Sequence, residues 1–305
     1  MKVLIVANYN CGYFAAFVLE QAQALRAIGI NVEFYKVVGK GIKGYLDNRK
    51  YLLKKIYDFK PDLIHAHYGL CGLIANLQRR VPVVTTYHGS DINLPSILKF
   101  SKLSMYLSVH NIFVSPQNIE IAKVKRRYSL IPCGVDLTNF EKISKEEARK
   151  IMGFRRDEKL VLFAGAFDDP RKNSELARKA INLLKNVRLL ELKGYTRKEV
   201  ACMMYACDVA LMTSPSEGSP QFIKEALVCG IPIVSVDVGD VKYVIDGVSG
   251  CYMTTYLADD IAEKIQIALK YGIRTKGREK IVKLGLDNAI IANKLEEIYS
   301  MILRK

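Results

Sequence analysis

The chain is short of acid. Against 46 Lys and Arg it sets 31 Asp and Glu, a net charge of +15 in 305 residues. The imbalance is uneven: residues 1–150 hold 22 basic and 11 acidic side chains, residues 151–305 hold 24 and 20. A basic half narrows the partners to nucleic acid, an anionic membrane surface or a phosphorylated ligand. Other absences exclude more. No apolar run approaches the ~18–20 residues that a membrane helix needs, and the apolar start of MKVLIVANYN is too short for a signal peptide, so a cytosolic protein is expected. Seven Cys include no C-x-x-C pair, Cys202 and Cys207 being nearest, which reads as buried free thiols in a reducing compartment. No G-x-G-x-x-G fingerprint follows the first strand-like run, so an NAD enzyme loses ground. No recognised nucleic-acid-binding motif or aromatic-interleaved basic stripe occurs, and no short-period repeat suggests a solenoid.

What is present is a folded α/β composition, 50% hydrophobic and 25% charged, in a chain long enough for two domains. MKVLIVA is a strand-length run, and Phe14 to Ile28 carries apolar residues at helical spacing. NVEFYKV alternates like a strand, and 48–59 reads as a basic amphipathic helix with Leu52, Leu53, Ile56 and Tyr57 opposite Lys50, Lys54 and Lys55. DLIHAH, LCGLIANLQ, VPVVTTY, NIFVS and YSLIP continue the series. After a charged stretch at 141–156 the alternation restarts with KLVLFAG and runs to IPIVSVDVG. Alternating strands and helices imply parallel sheets covered on both faces. The expected domains are 1–142 and 143–287, with a final helix at 288–305 crossing back to the first. Ligands of such sheets sit beyond the carboxyl ends of the strands, so the loops after strands are the places to examine.

Arg171 and Lys172 follow LFAG and precede a helix start, where free N–H groups and two cations would cradle a diphosphate, unless the pair is merely solvated. Glu217 and Glu225 fall in the loop and helix of SEGSPQFIKEAL; two such carboxylates suit the vicinal hydroxyls of a sugar or ribose, the alternative being a helix-start acid and a packed helical one. Gly218, Ser219 and Pro220 between them lead into a helix start where a phosphate could also dock. His65, His67 and His88 gather at strand ends, with His65 and His67 on one face of an extended segment. With Asp91 they suggest a polar cleft in preference to a metal site, because no further His or Cys completes a ligand set. Gly12, after the first strand, offers a flexible turn near a ligand.

In this order, DLIHAH, TYHGSD, PCGVDLTNF, the basic loop, then Glu217 and Glu225 separated by seven residues, the chain resembles the family 4 retaining glycosyltransferases of GT-B fold. VGDVKYVIDGVSGCYM extends the likeness to nearly the whole length. The chain departs from the family pattern at Cys133, where Asn is common, at Ala166, where many members have Arg, and at Asp240, where many have a second Gly. The resemblance implies two Rossmann-like doubly wound domains facing across a cleft, an acceptor domain first and a nucleotide-sugar domain second. It implies that Glu217 binds hydroxyls of the donor sugar, Glu225 the ribose, Arg171 and Lys172 the diphosphate, and that His88 lies near the reacting carbon, with Gly218, Ser219 and Pro220 against sugar or phosphate.

The implied reaction moves a sugar from a UDP- or GDP-sugar to a hydroxyl of a glycan or lipid-linked acceptor with retention, without metal or cofactor, and in cell-surface polysaccharide synthesis. A sugar-nucleotide epimerase of the same fold and a non-catalytic nucleotide-sugar-binding protein are the alternatives. Nucleic acid drops out as a partner. The basic face of the first half, with Lys123, Lys125, Arg126 and Arg127, then reads as a surface for anionic lipid or a phosphorylated acceptor on the inner face of a membrane, or as a solvated basic face.

Overall fold

The computed structural model describes residues 1–304, apart from the side chain of Ile42. The chain divides into two compact units. The first comprises Met1–Gly134 and the segment from Asn288 onward, the second Val135–Asp287.

The first unit is built on six parallel strands: β1 (Lys2–Asn8), β2 (Asn31–Val37), β3 (Leu63–His67), β4 (Val83–Tyr87), β5 (His110–Phe113) and β6 (Tyr128–Leu130). Their spatial order is β2-β1-β3-β4-β5-β6. Central strands read as continuous apolar runs because both faces are covered. Along β1, Val3, Ile5 and Ala7 enter one core with the helix Ala16–Ala27 and with Ile291, Leu295 and Tyr299 of the helix Asn288–Leu303. Leu4 and Val6 enter the opposite core with Leu52, Ile56 and Phe59 of the helix Arg49–Phe59. The period-two alternation of a strand thus feeds two helical layers.

The second unit repeats the plan with β7 (Lys159–Phe163), β8 (Val187–Leu190), β9 (Val209–Met212), β10 (Ile233–Val236) and β11 (Cys251–Thr254), ordered β11-β10-β9-β7-β8 and all parallel. Leu160 and Leu162 face one core, Val161 and Phe163 the other. In both sheets the winding direction reverses beside the first strand, between β1 and β3 and between β7 and β9. In sheets of this kind the loops leaving the carboxyl ends of such a pair diverge, and ligands bind between them.

The break falls at 134/135, ahead of the expected 142, because Val135 and Phe140 are wholly buried in the second core. The Phe140 carbonyl also accepts from Tyr205 Oη at 3.1 Å and from Arg278. The expectation of buried thiols needs a similar correction: Cys71, Cys207 and Cys229 are buried, Cys11 is exposed and the other three are half-buried. Among the described residues no helix is long and apolar enough to cross a membrane.

Candidate active site

In the second unit the two loops at the sheet's reversal are tied together. Thr213, just past β9, donates from Oγ1 to the carbonyls of Lys172 (3.0 Å) and Asn173 (2.9 Å) in the loop after β7. Gly165 leaves room for the lysine stem, since a Cβ there would lie 3.0 Å from Lys172 Cγ. Lys172 Nζ then donates to Glu217 Oε1 at 2.6 Å, with the two side chains 25% and 19% exposed. The sheet therefore brings together the cation and the acid that stand far apart in sequence, and leaves both within reach of a ligand.

Arg171 is placed differently. It is 82% exposed and clasps Asp169 through Nε (2.9 Å) and Nη2 (2.8 Å), holding that carboxyl below its usual range. Both cations belong to the short 3-10 turn Pro170–Lys172, which leads through Asn173 at φ +56° into the helix Ser174–Asn182.

Glu225 sits in the helix Gln221–Cys229, buried, and its Oε1 accepts from Arg197 Nη1 at 2.7 Å. Burial raises the pKa of its carboxyl and Arg197 opposes the shift. Gly218, Ser219 and Pro220 form a buried turn into that helix. Beneath them lies a charged cluster that sequence reasoning missed: Lys224 Nζ is 3.1 Å from Asp240 Oδ2, with the two side chains 0% and 1% exposed. Ser219 Oγ donates to Asp240 Oδ2 at 2.6 Å and contacts Lys224. The adjacent Gly239, at φ +61°, presses so closely on the loop that a Cβ would lie 2.2 Å from the Gly218 carbonyl. Asp240 itself has φ −105°, so this position needs no glycine.

In the first unit His88 follows β4 and is half-buried against Phe17 (ring centroids 4.6 Å) and Tyr68 (4.9 Å). Its Nε2 lies 2.9 Å from His67 Nδ1, and its Nδ1 lies 3.6 Å from Cys133 Sγ. The expected polar cleft of His65, His67 and Asp91 is corrected: all three are buried. His65 bonds Tyr299 Oη (2.5 Å) and Thr86 Oγ1 (2.7 Å). Asp91 accepts from the backbone N–H groups of Gly69 (2.9 Å), His88 and Gly89 (3.0 Å each), fixing the turn that carries His88. Together with the contacts of His88, these bonds occupy both ring nitrogens of His65 and His88 and both carboxylate oxygens of Asp91, atoms that a four-ligand metal set would need. Burial depresses the pKa of all three imidazoles, that of His67 to about 3, and raises that of Asp91 to about 6. Gly12 forms an exposed turn at φ +80°, its N–H donating to the Tyr9 carbonyl.

Tyr68 holds an unusual backbone, φ 73° and ψ 147°, at the end of β3. Such a conformation persists in a non-glycine residue only where its surroundings enforce it. Here Gly69 and Gly72 let the following helix close on Ser101 and Ser104, where any Cβ would collide. Neither Tyr68 nor Arg197 carries a local sequence signal. Lys224 does, as the one cation of the helix QFIKEALVC.

Two family models match the chain: Glycosyltransferase Family 4 over residues 15–139 and Glycosyl transferases group 1 over residues 146–270. A Bacillus subtilis protein provisionally named the teichuronic acid biosynthesis glycosyltransferase TuaC is 27% identical over 252 residues, 71% of this chain and 65% of TuaC. Less than two thirds of that relative's length is therefore matched. Among solved structures, sucrose-phosphate synthase from Thermosynechococcus elongatus aligns over 100% of this chain and 99% of its own, with a TM-score of 0.86 at 18% identity. HepE of Anabaena, in complex with UDP-glucose, aligns over 99% of this chain and 100% of its own, with a TM-score of 0.75 at 17% identity.

Proposed function

Since the chain belongs to the family 4 glycosyltransferases, with their fold of two doubly wound α/β domains, we propose that it transfers a sugar from a nucleoside diphosphate sugar to an acceptor hydroxyl with retention of configuration. The observation that carries the reading is the Lys172–Glu217 contact of 2.6 Å at the reversal of the second sheet. A cation and a hydroxyl-binding acid meet there at the carboxyl ends of β7 and β9, where sheets of this kind take ligands. UDP-glucose in HepE and the name of TuaC favour a UDP-sugar and a cell-surface polysaccharide product.

In this reaction the bond between the anomeric carbon and the diphosphate oxygen breaks, the acceptor oxygen bonds the same face of that carbon, and the acceptor proton passes to the leaving phosphate. Lys172 stabilises the charge that develops on the leaving group, more in the transition state than in the ground state. Arg171 adds charge from the rim when it exchanges Asp169 for phosphate. Glu217 accepts from sugar hydroxyls, and Glu225, held by Arg197, accepts from the ribose. His88 meets the sugar. A front-face substitution suits the placement of Asp91, the one first-unit acid in a site motif, which is committed to three backbone N–H groups. The basic face adds a docking surface for anionic lipid: Lys50 and Lys54 flank Tyr51 and Tyr57 on the helix Arg49–Phe59, and these tyrosines are 68% and 76% exposed.

The test measures nucleotide released from UDP- and GDP-sugars with and without lipid-linked or glycan acceptors, beside thermal shifts with the nucleotides alone. Transfer predicts a stabilising nucleoside diphosphate and release that depends on acceptor. Equal release without acceptor would point to the epimerase, and binding without turnover to a non-catalytic module.

A further inference from the structure

The His67–His88 contact is a single hydrogen bond between two imidazoles, and its direction can be worked out. Both rings are held neutral by burial, so each carries one N–H, and one proton lies between Nδ1 of His67 and Nε2 of His88, 2.9 Å apart. If that proton belonged to His88, the proton of His67 would sit on Nε2. That nitrogen is buried and has no hydrogen-bond partner among the described residues, so an N–H there would be an orphaned buried donor, the rarer and costlier failure. If the proton belongs to His67 Nδ1, only a bare lone pair is left at Nε2. His88 then accepts at Nε2 and must carry its own proton on Nδ1.

We infer that His67 is a positioning residue: by donating from Nδ1 to His88 Nε2 it fixes His88 as a hydrogen-bond donor at Nδ1. The inference rests on the transferase reading only for what Nδ1–H then meets. It faces Cys133 Sγ at 3.6 Å, a weak acceptor that yields readily to a better one. A sugar oxygen is such an acceptor. His88 in this tautomer donates to the sugar and is not available at Nδ1 as a base, which agrees with the acceptor proton leaving on phosphate. The two rings are also nearly parallel, 20° apart with centroids at 5.2 Å, so His67 sets the orientation of His88 as well as its tautomer.

The decisive measurement is the ring-nitrogen NMR spectrum of the ¹⁵N-labelled protein. The chain has only 4 His, so each ring is assignable from single His→Gln variants. The expected wild-type spectrum shows His88 protonated at Nδ1 and bare at Nε2. His67→Leu, which cannot donate, should return His88 to a mixture rich in the Nε2–H form and lower kcat/KM by about tenfold, the scale of one hydrogen bond. His67→Asn, whose amide N–H replaces Nδ1–H, should keep the His88 signature and stay within about threefold of wild type. A wild-type spectrum with the proton on His88 Nε2 overturns the inference, as does a folded His67→Leu protein with an unchanged His88 signature. Because the spectrum needs no substrate, a chain that proves not to be a transferase would remove the sugar from the account without touching the tautomer.

Discussion

Replacing Lys224 by Met should cripple the second unit, and the size of the effect can be worked from its surroundings. The ammonium and the Asp240 carboxylate are 3.1 Å apart and essentially unexposed. At an effective dielectric near 20 the attraction between two such charges is about 5 kcal/mol. Desolvation costs several kcal/mol per ion, so the intact pair contributes little net stability. Removing one partner is a different matter, because Asp240 stays buried with its Oδ1 already lacking a hydrogen-bond partner among the described residues. The expected cost is about 3–5 kcal/mol. With a urea m-value of about 2 kcal/mol/M, the midpoint of the second unit should fall by about 2 M. The protein contains no Trp, so a Tyr252→Trp reporter on β11 would follow this unit alone. Lys224→Met/Asp240→Ala should recover most of the loss, since neither charge is then stranded. The Glu217–Pro220 loop rests on Asp240, through Ser219, and on Gly239, so the single variant should also raise the donor KM more than it lowers kcat. A midpoint shift under about 0.5 M, or a double variant no better than the single, would refute the reasoning.

Glu217→Ala should lower kcat/KM by about 100-fold or more without moving the urea midpoint, as expected for a group that acts on the reacting sugar; near-normal transfer by that variant sinks its role. Lys172→Met should weaken nucleoside diphosphate binding by about tenfold or more in calorimetric titration, and Arg171→Met by only a few-fold, because the exposed Arg171 is more fully screened; the reverse order would count against the assignment. In the first unit the pKa of His67 lies near 3 instead of 6.5, so the unfolded chain takes up that proton as pH falls through 6.5 while the native state does not. Stability is therefore lost with falling pH, by about 2 kcal/mol for this residue between about pH 7.5 and 5. The raised carboxyl of Asp91 is protonated first in the native state and offsets about 1 kcal/mol, so urea midpoints at the two pH values should show a net loss that steepens in Asp91→Asn. Sedimentation with anionic vesicles should retain the protein at low salt and release it at high salt; absence of binding, or indifference to salt, removes the membrane surface.

The central strands were legible because a parallel sheet covered on both faces demands unbroken apolar runs, and KVLIVAN and KLVLF are such runs; the strands' spatial order and the edge strand β11 were not. The loops at the reversals were legible too, since polar, glycine-bearing segments directly after those strands have nowhere else to go. Pairings were not. His65 meets Tyr299 across 234 residues of sequence, and no local pattern joins Arg197 to Glu225. The charged stretch at 141–156 shows why composition misleads most where charge is buried. It resembles a solvated linker, yet Arg149 is only 3% exposed. Its guanidinium donates to the carbonyls of Ala206, Arg155, Arg156 and Glu158 and to Asp208. A planar cation with five donors can satisfy itself on carbonyls inside a core, which a count of charges does not reveal. Lys224 is buried as completely, against the side chains of Asp240 and Ser219. The surplus of +15 thus includes cations that no partner can reach, whereas Lys50, Lys54, Lys123, Lys125, Arg126 and Arg127 of the first unit are all exposed. The electrostatic case for an anionic surface rests on those six side chains, and neutralising them in pairs should reduce vesicle binding stepwise while the second unit keeps its affinity for nucleotide.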